Sequence, residues 1–344
     1  MLGPRYAFIS ACLKGEEPKA ITSEHIERMM AESELQDALA TIRETSIGSY
    51  LEELPVNSFN DLDDALWRYL AQRIRYVESF KFLPGDILKV SSAYVAKYDV
   101  LNIKAALQLI SGVDRSVMIP VGIISANGLL DELSGVETVD DIIRLLIQCK
   151  LGDYVPALEQ YKAETSARAK MQVETRLEGE YYKGMLSMAR RIKDGSVLTK
   201  ALGLVIDLTN MQIACRAMIE EIGLEAADFI IAGGYRIPDK TIRELLPLKV
   251  ADMPERLEDA QYREIAGEVS AAYERTGSIT SVDEIIDKHK FRMLKEILSP
   301  RVMSPLVMAW YIILKEIEIR NLRMVIKTIV DGAPSHGIEN CLVL

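Results

Sequence analysis

The segment 314–328, LKEIEIRNLRMVIKT, decides the fold, because two earlier segments say the same thing: YDVLNIKAALQ at 98–108 and IDLTNMQIACR at 206–216. Aligned on Asn102, Asn210 and Asn321, each copy has an acid three residues earlier (Asp99, Asp207, Glu318). Each also has a long polar side chain two residues later (Lys104, Gln212, Arg323). The asparagines stand 108 and 111 residues apart, so the pattern is a repeat of domain length. Helical spacing sets acid and Asn on one apolar stripe in every copy: Val95, Asp99, Asn102, Ala106, Leu109; Gly203, Asp207, Asn210, Ala214, Ala217; Leu314, Glu318, Asn321, Val325. The polar pair is therefore expected to face inward. Short polar side chains compete for local backbone bonds inside helices, so three such placements imply tertiary hydrogen bonding. A solvated helix face is the alternative, but such a face has no reason to recur at this spacing.

Alternation of period two is nearly absent and i, i+3, i+4 apolar spacing runs through the chain, which predicts an all-α fold. Three similar helical-bundle domains follow from the period: 1–115, 116–230 and 231–344, with breaks at Gly112, Gly223, Gly233 and Gly234. Ile119-Pro120 reads as the opening of the second unit and Ile237-Pro238 as that of the third. On that register the units differ by a seven-residue loop near their start, 34 residues from Pro120 to Tyr154 against 27 from Pro238 to Ile265. Helix starts are read at Thr22-Ser23, Ser33 and Asp61. A middle helix is shared as LDDALWRYL, VETRLEGEYY and VDEIIDKHKF.

Composition narrows the function. The charge-free run 302–314 has 13 residues, short of the roughly 20 that a bilayer needs, so the expectation is a cytoplasmic chain with no membrane span. A net charge of −10 lacks the basic footprint of a nucleic-acid binder. Cys12, Cys149, Cys215 and Cys341 form no CxxC and are read as ordinary thiols rather than a zinc site or a disulfide framework.

No catalytic, cofactor-binding or metal constellation is complete. There is no GxxxxGK[ST] loop and no GxGxxG after a strand. His25, His289 and His336 lack metal-ligand spacing and read as surface or capping residues. The acid pairs Asp63-Asp64 and Asp140-Asp141 resemble the start of a diphosphate and Mg²⁺ motif, yet Trp67 and Arg144 stand where a further acid is needed, so they read as first-turn acids. The basic run Lys288, His289, Lys290, Arg292, Lys295 reads as a solvated helix face, on which Lys290→Ala would cost no more than about 0.5 kcal/mol. The final CLVL has the shape of a prenylation signal, with a short apolar tail docked on the last domain as the plainer reading.

Taken together, YDVLNIKAAL, IPVG at 119–122 and KEIEIRNLRMVIK resemble the C subunit of archaeal and bacterial A/V-type ATPases, which in eukaryotes is termed the d subunit. Tyr6 and Ala11 fit the family's N-terminal helix, whereas Cys12 takes the place of an Arg and the opening 237–240 lacks the Gly seen at Gly122. The resemblance implies a funnel of three helical domains and a rotor part without catalytic chemistry, present once per complex. Its partners would be the central-stalk subunits of the ATPase head and the membrane proteolipid ring. Its place would be the inner face of the cell membrane, in a machine of ATP-linked proton or sodium ion transport. A helical-repeat adaptor unrelated to rotary ATPases is the other reading.

Overall fold

In the computed structural model, residues 3–113, 116–163, 166–332 and 342–343 are described, and among them the regular structure is entirely helical, without a strand. The three repeated segments lie in the three long apolar helices Gly85–Ile110, Gly195–Ile219 and Leu306–Val330, here called the signature helices. The three acid and apolar segments lie in the helices Phe59–Glu78, Ala167–Ala189 and Ile279–Leu298.

Local sequence explains several boundaries. Thr22 caps the helix Ser23–Met30 by accepting from the His25 N–H, while the His25 ring accepts from the Thr22 N–H in return. Ser58, not Asp61, caps Phe59–Glu78; Asp61 sits at its third position and closes the motif by accepting from Ser58 Oγ and the Asn57 N–H. Ser33 is no cap either, since Leu35–Ala40 starts after Glu34 without a side-chain cap. The helix dipole favours an acid in the first turn as capping does, so the two signals overlap at 58–61 and Asp61 masks Ser58.

The chain sorts into two compact units. One comprises Met1–Ala105, Asp114–Ser134 and Arg301–Leu344. In it Phe59–Glu78 packs on Leu306–Val330, burying Leu62, Leu66, Tyr69 and Leu70 with Met308, Ile312, Ile319 and Leu322. The other comprises Ala106–Val113 and Gly135–Pro300. Its core joins Leu204, Leu208, Met211 and Cys215 of a signature helix to Tyr262, Ile265, Val269, Val282 and Ile286. Each fully buried Leu or Ile is worth about 1.5 to 3 kcal/mol by transfer from water, so these interleaved faces dominate the stability of each unit.

Among the described residues one helix, Gly195–Ile219, is long and apolar enough to cross a membrane. Most of its apolar window is buried within the structure, where it also buries Asp207 and Asn210. Cys149 and Cys215 are buried, and burial pushes the Cys215 thiol up to about 12, away from the reactive thiolate. Cys341, Leu344 and His336 lie outside the described residues, so the prenylation reading does too.

Candidate functional site

Each signature asparagine grips one backbone residue with both ends of its amide. Asn102 donates to the Ile119 carbonyl at 2.9 Å and accepts from the Ile119 N–H at 2.7 Å. Asn210 does the same to Ile231, at 2.8 Å in both directions. Asn321 does it to Val343, at 2.7 and 3.2 Å. An amide is the one short side chain with a donor and an acceptor side by side, so it can replace a strand partner for a single residue. All three are buried, where a peptide group without partners is costly.

The acid one turn earlier holds the chain a few residues further on. Asp99 accepts from the N–H groups of Ile123 and Ile124 at 2.8 and 2.9 Å. These open the short helix Ile123–Ala126, whose own cap position is Gly122, so Asp99 supplies from a distance the carboxylate that Gly122 cannot. Asp207 accepts from Tyr235 and Arg236 N–H groups at 3.0 and 2.8 Å and from the Tyr262 hydroxyl at 3.0 Å. Glu318 accepts from the Ile21 N–H at 2.9 Å and pairs with Lys315 at 2.9 Å, both side chains buried. The third clamp therefore joins segments far apart in the chain: Val343 fills the Asn site and Ile21 the acid site.

These bonds fix a register that differs from the proline-based one. Ile119 corresponds to Ile231, and Ile123 to Tyr235, so Gly122 corresponds to Gly234 rather than to any residue of 237–240. The third opening thus has its glycine. Asn210 lies 91 residues after Ile119 and Asn321 lies 90 after Ile231, so the seven-residue loop difference disappears. A Cβ on Gly122 would lie 2.5 Å from Asp99 Oδ1, and one on Gly234 2.3 Å from Asp207 Oδ1. The opening must pass against the acid, and only glycine leaves room.

The third signature positions do different work. Lys104 is half-buried. Gln212 donates to Asp283 at 3.2 Å and accepts from Lys290, so Lys290 points inward and is no member of a solvated face. Arg323 reaches Asp63, its Nη2 3.3 Å from Oδ2 and its Nε 2.6 Å from Oδ1 in an ionic contact rather than an aligned hydrogen bond. Asp63 is consequently a buried ion-pair partner and not a first-turn acid, whereas Asp141 is one, closing a capping box with Thr138. His289 is buried, its Nε2 2.8 Å from Glu268, so it is neither surface nor cap.

Burial pushes the Asp99 carboxyl up from 3.8 to about 6, opposed by its two backbone N–H bonds, and pushes Asp207 in the same direction. A carboxyl raised on folding stabilises most when protonated. That contribution is complete below the unfolded value of 3.8 and is lost as pH rises through about 6. In urea unfolding, the parent should therefore lose roughly 2.5 kcal/mol relative to Asp99→Asn between about pH 4 and 7. A parent-to-variant difference that ignores pH contradicts this reading of Asp99.

Among the described residues no group of three or more His, Cys, Asp and Glu is placed to hold a metal ion. A cleft of about 820 Å³ in the second unit is lined by Asp153, Gln160, Arg176, Glu180, Lys183 and Ile231, the last held by Asn210. Among the described residues lining it there is neither cysteine nor histidine. The repeated acids and amides are spent on backbone geometry.

Comparison with known proteins agrees along the length of the chain. Residues 9–341 match the family described as ATP synthase (C/AC39) subunit. The C subunit of the A-type ATP synthase of Methanocaldococcus jannaschii is 22% identical over 98% of this chain and 86% of its own length. Its namesakes from Pyrococcus abyssi and Methanococcoides burtonii are 23% and 24% identical, over 97% and 98% of this chain and 89% and 94% of their own lengths.

Proposed function

We infer the role of this chain from its family: it belongs to the ATP synthase (C/AC39) subunit family, and on that premise we propose a non-catalytic rotor subunit of an A/V-type ATPase. It would couple the central stalk of the catalytic head to the membrane proteolipid ring during ATP-linked proton or sodium ion transport. It would act at one copy per complex on the cytoplasmic face. We read its domains as 1–115, 116–230 and 231–344, in a funnel with pseudo-threefold arrangement. Carrying the reading is the clamp, which recurs in all three signature helices and uses the repeated acid and amide as joints between chain segments. A spacer that passes torque from a narrow axle to a wider ring needs stiffness and contact area rather than reactive groups, and buried bidentate amides supply stiffness.

The test is affinity purification of the tagged chain from its own cells, with stoichiometry by quantitative mass spectrometry. The expected result is one copy with the ring and the central-stalk subunits, and no saturable ATP binding by the isolated chain. Recovery in a stationary peripheral stalk, or at three copies per complex, would contradict the rotor role.

A further inference from the structure

The first unit carries a group of exposed aromatic residues. Phe8, Tyr76 and Phe82 are 56%, 47% and 77% exposed, whereas the other rings among the described residues are buried or half-buried, apart from Tyr235 of the second unit at 52%. Phe8 and Tyr76 are joined through the half-buried Phe80: Phe8 meets the edge of Phe80 at 5.9 Å between centroids, and Phe80 meets Tyr76 at 4.8 Å. The Arg5 guanidinium stands 5.9 Å from the Phe82 ring. Phe82 also holds a φ of 67°, a left-handed conformation that costs a bulky residue about 1 kcal/mol or more and that directs the ring outward from the loop between two helices.

The fringe of this face is positive although the chain carries −10. Arg5, Arg75 and Lys81 are exposed and have no ion-pair partner among the described residues. Glu16 is paired with Arg73 and Asp86 with Lys89, and Glu78 accepts from the uncharged Ser91 hydroxyl, so three free cations stand against one unpaired carboxylate among these residues. Exposed aromatic rings set among free cations are the composition that favours the boundary between lipid headgroups and acyl chains, where rings enter the apolar edge and cations meet anionic headgroups.

We propose that the face formed by Phe8, Tyr76 and Phe82, fringed by Arg5, Arg75 and Lys81, docks on the surface of a bilayer containing anionic lipid. The role proposed above brings a bilayer within reach, but the assay uses the isolated full-length chain and can fail while co-purification with the ring succeeds.

The experiment is co-sedimentation with phosphatidylcholine vesicles containing about 30% phosphatidylglycerol, against pure phosphatidylcholine vesicles, over a salt series. Binding to the anionic vesicles alone, weakened by salt, is expected. Arg5→Glu with Lys81→Glu should lower partitioning by at least about twentyfold, at about fivefold per basic residue, and Phe8→Ser with Phe82→Ser by about tenfold or more. Leu224→Ser, at an exposed apolar position of the other unit, should bind as the parent does. All these positions are on the surface, and unchanged circular dichroism verifies that the variants are folded. Equal binding to both vesicle types, variants that bind like the parent, or an equal loss with Leu224→Ser overturns the proposal. So does a chain that ignores vesicles but binds soluble polyglutamate, which would assign the face to an acidic polypeptide.

Discussion

Asn210→Ala is expected to lower the unfolding free energy by about 2 to 5 kcal/mol, because it strands two buried backbone groups rather than one. The Ile231 N–H and carbonyl both take Asn210 as partner, and the alanine methyl offers neither a donor nor an acceptor. Asn102→Ala and Asn321→Ala should fall in the same range. For Asn321 there is a sharper form of the test, since its partner Val343 is the last described residue and can be removed by truncation. Deleting 342–344 should cost more than Asn321→Ala, since it also removes the buried Leu342 and Val343 side chains, and adding Asn321→Ala to the deletion should cost little further, because the joint is already gone. A true surface change such as Lys240→Ala, whose side chain is 86% exposed, should stay within about 0.5 kcal/mol. Urea unfolding followed by circular dichroism is the measurement, and Asn variants that unfold with the parent would reduce the clamps to decoration.

The addition of one methyl group at Gly234 is expected to cost more than about 3 kcal/mol. Its Cβ would stand 2.3 Å from Asp207 Oδ1 and 3.2 Å from the Ile237 carbonyl. The carboxylate cannot retreat, because the Tyr235 and Arg236 N–H groups and the Tyr262 hydroxyl fix it from three sides. Gly122→Ala meets the same collision with Asp99 and also forces alanine to a φ of 106°. Gly128→Ala is the matched control, with a positive φ of 72° and open space around the added carbon, so it isolates the conformational cost of about 1 kcal/mol. If Gly234→Ala melts no lower than Gly128→Ala, the opening does not press on the acid as described.

The helical class is legible because burial imposes its period on sequence, and the inward stripe because an acid and an amide on an apolar face demand partners. The identity of those partners is hidden, for a physical reason. The asparagines bind backbone, and backbone N–H and carbonyl groups have no sequence identity. Ile119, Ile231 and Val343 share a β-branched apolar side chain that recurs throughout the core and marks no joint. In the first two joints the readable mark is the glycine beside the acid, and a register set by the prolines of Ile119-Pro120 and Ile237-Pro238 passes over Gly234. Ile21 is beyond reach for a different reason: it meets Glu318 across 297 residues of chain, and no local pattern reports such a closure. Asp63, His289 and Lys290 resemble ordinary surface charges because each sits in a charged run, and only the fold shows which member of a run turns inward.

We propose that the signature residues give this subunit its geometry and take no part in chemistry or ion movement. The measurement that bears on it most directly is the coupling of ion transport to ATP hydrolysis in complexes assembled with Asn210→Ala, at a temperature where the purified variant is verified as folded. The account predicts the parental number of ions moved per ATP under that condition, with coupling lost only on warming into the variant's unfolding transition. A folded, fully incorporated Asn210→Ala subunit that leaves the complex uncoupled would contradict it.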